Sequence, residues 1–323
     1  ERTGISNFFI DLANCIAGRF AGGPAKVSVI SSALCGMVSG SSVGNTVTTG
    51  SVTIPMMKKT GYKPEFAGAV EATSSTGGQI MPPIMGAAAF LMADFVGVPY
   101  SSIIGRAILP AILYFAGIFI SVHLEAKKLD LHGMPKEHLP KARKLVKKIY
   151  LLLPLIMLVV WVSGNFMTMQ KAASLAIVLT VVVSLFNKDN RITPGKILEA
   201  LEAGGKSAIT VGAACGVAGI ISGTITMTGL ANDIINAIVS VAGDRLIIAL
   251  ILTMLCCIVL GMGVPTTANY CIMAATTAPI LIRMGVPVMA AHFFVFYFGI
   301  VADITPPVAL AAYAGSAIAK SNP

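Results

Sequence analysis

SGSSVGNT (Ser39–Thr46) and STGGQIMPP (Ser75–Pro83) decide how this chain is read, because each interrupts an apolar stretch with glycine, proline and small polar residues. Residues 26–59, around the first motif, hold two apolar halves. Each is too short to cross about 30 Å of hydrocarbon as a single helix. A helical hairpin that enters and leaves on one side fits better. Residues 64–96, around the second motif, predict a helix unwound in the middle, since paired glycines, Gln79 and Pro82-Pro83 cannot continue it.

The same pattern returns late in the chain. GMGVPTTAN (Gly261–Asn269) lies inside a split apolar segment at about 244–284, and ADITPP (Ala302–Pro307) breaks the segment 287–320. One ungapped offset of 224 positions pairs Asn45 with Asn269, Pro55 with Pro279, Gly61 with Gly285, and Pro82-Pro83 with Pro306-Pro307. Matches at special Asn, Gly and Pro positions carry weight that alanine matches do not. They divide the chain into a first repeat (1–124), a basic loop (125–148), connecting scaffold helices (149–230) and a second repeat (231–323).

Composition agrees with this reading. The chain is 55% apolar and only 11% charged, against about 25% charged for a soluble domain. The expected fold is therefore all-α, a polytopic membrane protein with the bilayer as partner. The net charge of +9 follows location. Lys/Arg at 127, 128, 136, 141, 143, 144, 147 and 148 fill one loop, and Lys188, Arg191 and Lys196 mark another, so both are placed in the cytoplasm. No aromatic residues interleave these charges, so no nucleic-acid partner is expected. Five crossings separate the two hairpins. An odd number puts them on opposite faces, so the repeats are expected to be inverted, with Arg283 an exception to the charge rule.

Unwound backbone at membrane depth is tolerated where it lines a cavity or binds ions. Hydroxyl, amide and carbonyl oxygens suit sodium, and half-helix N-termini suit an anionic substrate. One cation site is expected to join Ser41, Ser42 and Asn45 to the Gly77-Gly78 carbonyls. The other joins Thr266, Thr267 and Asn269 to Asp303 and Thr305. Substrate contacts are expected at Ser39, Thr76, Gln79, Pro82 and Pro306. Asp303 is the sharpest residue, an acid at mid-membrane depth. Glu71 is open between a functional role and a scaffold pairing, and both asparagines could be turn formers.

Other signals are weak. GGKS (Gly204–Ser207) lacks the first glycine and the preceding strand of a phosphate loop. Cys15, Cys35, Cys215, Cys256, Cys257 and Cys271 read as small buried hydrophobes. His123, His132, His138 and His292 lack metal-binding spacing, and no nucleophile–base set emerges, so neither an enzyme nor a cofactor is expected. The glycines at 212, 216, 219 and 223 read as a helix-packing face, and Trp161 as an interfacial anchor. The chain starts Glu1-Arg2-Thr3 and ends after an apolar segment, which reads as a piece of a longer protein.

GGPAKVSVISSALCGMVSGSSVGNTVTTGSVTIPMMKKTGY (22–62) and AGAVEATSSTGGQIMPPIMGAAAF (67–90) resemble the large membrane subunit of the TRAP, or tripartite ATP-independent periplasmic, transporters. So do GMGVPTTANYCIMAATTAPILIRMG (261–285) and ADITPPVALAAYAGSAIA (302–319). The likeness covers essentially the whole chain. It is strongest to fused small-plus-large permeases that work with TAXI-type solute receptors. It implies elevator-type, sodium-driven uptake of an organic acid across the bacterial inner membrane, with a periplasmic receptor delivering the substrate. Sodium would sit at Ser41, Ser42, Asn45, Thr266, Thr267, Asn269 and Asp303. It also implies a small-subunit region, the earliest helices and the terminal helices beyond this chain. Gly44 departs from an expected alanine. The rival readings are a receptor-independent sodium/dicarboxylate symporter and, further off, a channel or membrane enzyme.

Overall fold

The computed structural model describes residues 3–135, 139–140, 145–164, 166–187, 191–243 and 245–323, and among these there is no strand. Lys136, His138, Lys141, Arg143, Lys144 and Lys188 of the basic loops, and position 244 where the second hairpin was expected to begin, lie outside the described residues.

The first hairpin is α2 (Gly23–Ser39) and α3 (Ser42–Lys59), preceded by α1 (Ile5–Ala17). Gly40, at φ 63°, ends α2, and the Ser41 hydroxyl accepts the Gly44 N–H at 3.1 Å to start α3. A glycine in the left-handed region followed by an N-cap serine turns the chain in two residues. The broken helix is α4 (Pro64–Gly77), a 3₁₀ turn (Gly78–Ile80), and α5 (Gly86–Val96).

The second unit has the same plan. Its hairpin is α11 (Leu246–Gly261) with α12 (Thr266–Thr276) and α13 (Ala278–Arg283). Its broken helix is α14 (Val288–Val301), a 3₁₀ turn (Ala302–Ile304), and α15 (Leu310–Ala319). The 224-residue offset holds in local geometry. Both 3₁₀ turns start and end at matched positions, Pro82-Pro83 and Pro306-Pro307 are both cis, and Met85 and Ala309 both have positive φ.

Between the units run α6 (Tyr100–Lys128), α7 (Leu153–Ser163), α8 (Met169–Leu185), α9 (Pro194–Met227) and α10 (Leu230–Ala242). Among the described residues, α6 and α9 are long and apolar enough to cross a membrane alone. The remaining apolar helices are shorter, as hairpins and broken helices require. Outward-facing apolar side chains such as Leu109, Leu113, Ile209 and Ile220 are well exposed. Exposed apolar side chains in such number suit lipid as the solvent.

One expectation needs correction. The glycines at 212, 216, 219 and 223 of α9 have open space around their Cβ positions, so no described helix packs on them. Trp161 is half-buried and packs one side on the main apolar cluster around Met92, Tyr270 and Phe296.

The units interlock rather than stand side by side. The last helix, α15, packs on α3 and α4 of the first unit. A Cβ on Gly315 would lie 2.8 Å from the Gly68 carbonyl oxygen, so the backbones nearly touch. Lys58 Nζ, at the end of α3, donates at 2.6 Å to the Ala319 carbonyl that closes α15. A cation at a helix C-terminus satisfies an orphan carbonyl and opposes the helix dipole. Conversely, α5 of the first unit packs on α12 of the second.

Candidate functional site

Each hairpin tip is held to its own broken helix by an asparagine. Asn45 Nδ2 donates to the Ser32 carbonyl at 2.9 Å and to Ser75 Oγ at 3.0 Å. Asn269 Nδ2 donates to the Gly299 carbonyl at 3.0 Å. These contacts need close backbones. A Cβ on Gly36 would lie 2.8 Å from Gly78 Cα, and one on Gly261 would lie 2.8 Å from Ala302 Cβ. The asparagines therefore pin the tip to the unwinding point and are more than turn formers.

The two units meet at Asp303. Ser42 Oγ, in the first turn of α3, donates to Asp303 Oδ2 at 2.5 Å across 261 residues. Gln79, in the first 3₁₀ turn, is the other polar neighbour of this carboxyl. Both Gln79 amide atoms are buried without a well-formed hydrogen bond. Thus one hairpin tip and both broken segments converge on one carboxylate. Asp303 was expected to join Thr266 and Thr267 of its own unit, but the contact it makes is with the first tip. A repeat-by-repeat reading misses a partner supplied by the other repeat.

The remaining expected residues are placed as follows. The Ser41 hydroxyl caps α3, and Ser39 Oγ lies 3.5 Å from the Gly36 carbonyl. Thr76 Oγ1 and Thr305 Oγ1 donate to carbonyls one turn earlier, at 2.9 Å and 2.7 Å. Gly77 is packed against the Tyr114 ring. Thr266, Asn269 and Gly299 line one narrow pocket, and Asn269 Oδ1 is buried there without a partner. Thr267 is half-buried in the first turn of α12. Pro82 and Pro306 sit in the matched cis turns, half-buried and exposed respectively. The freed carbonyls of the first turn are met by Tyr100, whose Oη lies 2.6 Å from Ile84 O and 2.9 Å from Pro83 O.

Asp303, Ser42 and Gln79 meet in one place, and Thr266 and Asn269 line another. Both places offer hard oxygens, which do not favour a soft metal. No cluster of three His, Cys, Asp or Glu that could hold a transition metal occurs among the described residues.

One polar group has partners that its sequence does not announce. Ser28, Ser32, Thr49, Thr53 and Ser75 all donate to Glu71. The available signal was the pairing of hydroxyls one turn apart, Ser28/Ser32 and Thr49/Thr53, on the two arms that face α4.

Paired hairpins and broken helices, with polar tips converging at depth in an apolar helical body, define a membrane permease. The comparisons narrow this class. A family model described as tripartite ATP-independent periplasmic transporter, DctM component, matches residues 1–323, and the chain belongs to that family. Among its relatives is a C4-dicarboxylate TRAP transporter large permease protein of Pseudomonas aeruginosa, 26% identical over 98% of this chain and 73% of that protein. A protein of the same description from Vibrio cholerae is 26% identical over 99% of this chain and 74% of its own length. The isethionate TRAP transporter permease protein DctMQ of Oleidesulfovibrio alaskensis is 25% identical over 99% of this chain and 50% of its own length. The chain is thus an integral membrane permease component of a tripartite transporter, and not an enzyme.

Proposed function

We propose that this chain is the transport core of a sodium-driven uptake system for an organic acid, delivered by a periplasmic solute receptor. The observation that carries the proposal is the meeting of Ser42, Gln79 and Asp303, where two polar groups of the first unit reach the buried carboxylate of the second. An intramembrane acid is functional by default, and a small hard cation is the partner such donors select. Relatives are named for C4-dicarboxylate and for isethionate, both organic anions, which supports an acidic substrate here. Sodium at Ser41, Ser42, Asn45, Gly77, Gly78, Thr266, Thr267, Asn269, Asp303 and Thr305 would offset that negative charge. Ser39, Thr76, Gln79, Pro82 and Pro306 would border the substrate.

The two units are read as inverted repeats, and transport as an elevator movement of the hairpins with their broken helices. The interlocking of α15 with α3 and α4 supports a single moving body. The receptor is read as TAXI-type. The fused relative of Oleidesulfovibrio alaskensis supports a small membrane subunit fused to this region, and the inner membrane is the location.

Uptake into proteoliposomes with the cognate receptor tests the reading. Asp303→Asn is expected to lower sodium-driven uptake by about tenfold or more, on the scale of losing a buried charge-assisted contact. Uptake at the parent level would remove Asp303 from the coupling site. Uptake without a receptor would instead favour a self-sufficient sodium/dicarboxylate symporter.

A further inference from the structure

Glu71 lies on α4, one turn before Ser75, and is fully buried. Its Oε1 accepts from Ser32 Oγ at 2.6 Å, from Ser75 Oγ at 3.0 Å and from Thr49 Oγ1. Its Oε2 accepts from Ser28 Oγ and Thr53 Oγ1, each at 2.6 Å. The hydroxyls come from α2, α3 and α4, so one carboxyl joins both hairpin arms to the broken helix. A carboxylate offers about four acceptor sites, and five donors saturate it. No ion pair among the described residues involves Glu71.

The fold does not require this arrangement. At the 224-residue offset, Val295 stands where Glu71 stands, Met273 where Thr49 stands, and Gly299 where Ser75 stands. Before the tip the register is one residue longer, as the equivalent contacts of Gly36 and Gly261 show. Ser32 then matches Cys257, and Ser28 matches Thr253, whose hydroxyl is buried without a partner. The second unit builds the same hairpin and the same break around Val295, in an apolar cluster with Met273 and Cys257. A buried carboxyl that the matching fold omits is there for something other than folding.

Its path leads to the tip. Asn45 Nδ2 donates to Ser75 Oγ, and Ser75 Oγ donates to Glu71 Oε1. The orientation of Ser75, and with it of the Asn45 amide, follows from the carboxyl. In the second unit this relay is missing, and Asn269 keeps one bond and an orphan oxygen. We propose that Glu71 is a positioning residue that acts through Ser75 to fix Asn45, and thereby sets cation affinity at the first tip while the second tip remains freer to rearrange. The affinity part rests on the sodium reading above; the positioning part does not.

The test uses the full chain in lipid nanodiscs and in receptor-supplied proteoliposomes, as the parent, Glu71→Gln and Ser75→Ala. Ser75→Ala keeps the carboxyl and cuts only the relay, so it guards against a Glu71→Gln protein that fails to fold. Amide exchange over residues 40–46 is expected to rise about tenfold in both variants, the scale of one lost buried hydrogen bond. Exchange over 262–269 should stay unchanged. Half-saturation for sodium should rise about five- to tenfold, with maximal uptake altered less than about twofold. Asn45→Ala combined with Ser75→Ala should cost no more than Asn45→Ala alone, because Asn45→Ala already cuts the relay together with the bond to the Ser32 carbonyl. Parent-level exchange at the first tip in both variants, or effects that multiply in the double variant, would overturn the proposal. A parent protein indifferent to sodium would remove the sodium reading, and the exchange comparison would then decide the positioning role by itself.

Discussion

The first unit encloses a carboxyl ringed by hydroxyls, whereas the second closes the same backbone plan over Val295, Met273 and Phe296. Matched 3₁₀ turns, matched cis prolines and matched asparagines show that the architecture is indifferent to what fills the space between hairpin and broken helix. Packing density can come from methyl groups or from a saturated polar network. The choice between them is free for folding and therefore available to function. The asymmetry continues to the tips, since Asn45 makes two hydrogen bonds and Asn269 one.

The hardest way to break this comparison is to impose the polar solution on the apolar unit. Val295→Glu would bury a carboxyl where only Thr253 and Thr277 match the hydroxyls around Glu71, and the mates of Ser32, Thr49 and Ser75 are Cys257, Met273 and Gly299. It is expected to destabilise by more than about 4 kcal/mol, and folded protein should be nearly lost from size-exclusion profiles. A protein that accumulates normally would show that the second unit can also solvate a charge.

Next in size is the close approach at each break. A Cβ on Gly36 meets backbone at 2.8 Å, while one on Gly261 meets the Asn269 side chain at 2.7 Å and Ala302 Cβ at 2.8 Å. Backbone yields less readily than side chains. Gly36→Ala should therefore cost about 3 kcal/mol and Gly261→Ala about half that, read as melting shifts in one detergent. Equal shifts would mean that the second unit is as tightly built as the first.

The smallest effect sharpens the tip asymmetry. Asn45→Ala should cost about 1.5 kcal/mol and Asn269→Ala under about 1 kcal/mol, because hydrogen bonds within membranes are individually modest. Chemical denaturation of the two variants checks the order. A reversed order would place the firmer tip in the second unit.

Much of this architecture is legible in the residues themselves. Gly40-Ser41, Gly77-Gly78 and the proline pairs break helices for local steric reasons, so hairpins and unwound turns could be placed to within a few residues. Helix ends were less exact. The helix Tyr100–Lys128 ends in a basic turn, Lys127-Lys128, that continues past its apolar part. The glycines of α9 misled, since α9 packs on α12 through Ala214 and Ala218 and leaves its glycines on an open face. At the candidate site, Asp303 and both asparagines stood out as polar groups at depth, but their partners did not. The Ser42 donor to Asp303 lies 261 residues away in the other unit.

The sequence by itself therefore determined what is set by local sterics and by solvent. Apolar composition made lipid the surroundings, and glycine and proline fixed where helices break and recur. Only the tertiary structure decided which polar groups face one another. It brought Ser42 to Asp303, Lys58 to the end of α15, and five hydroxyls to Glu71. Such pairings depend on how helices far apart in the chain pack. In an apolar medium each buried polar group must find a partner, but its own residue type does not say which one.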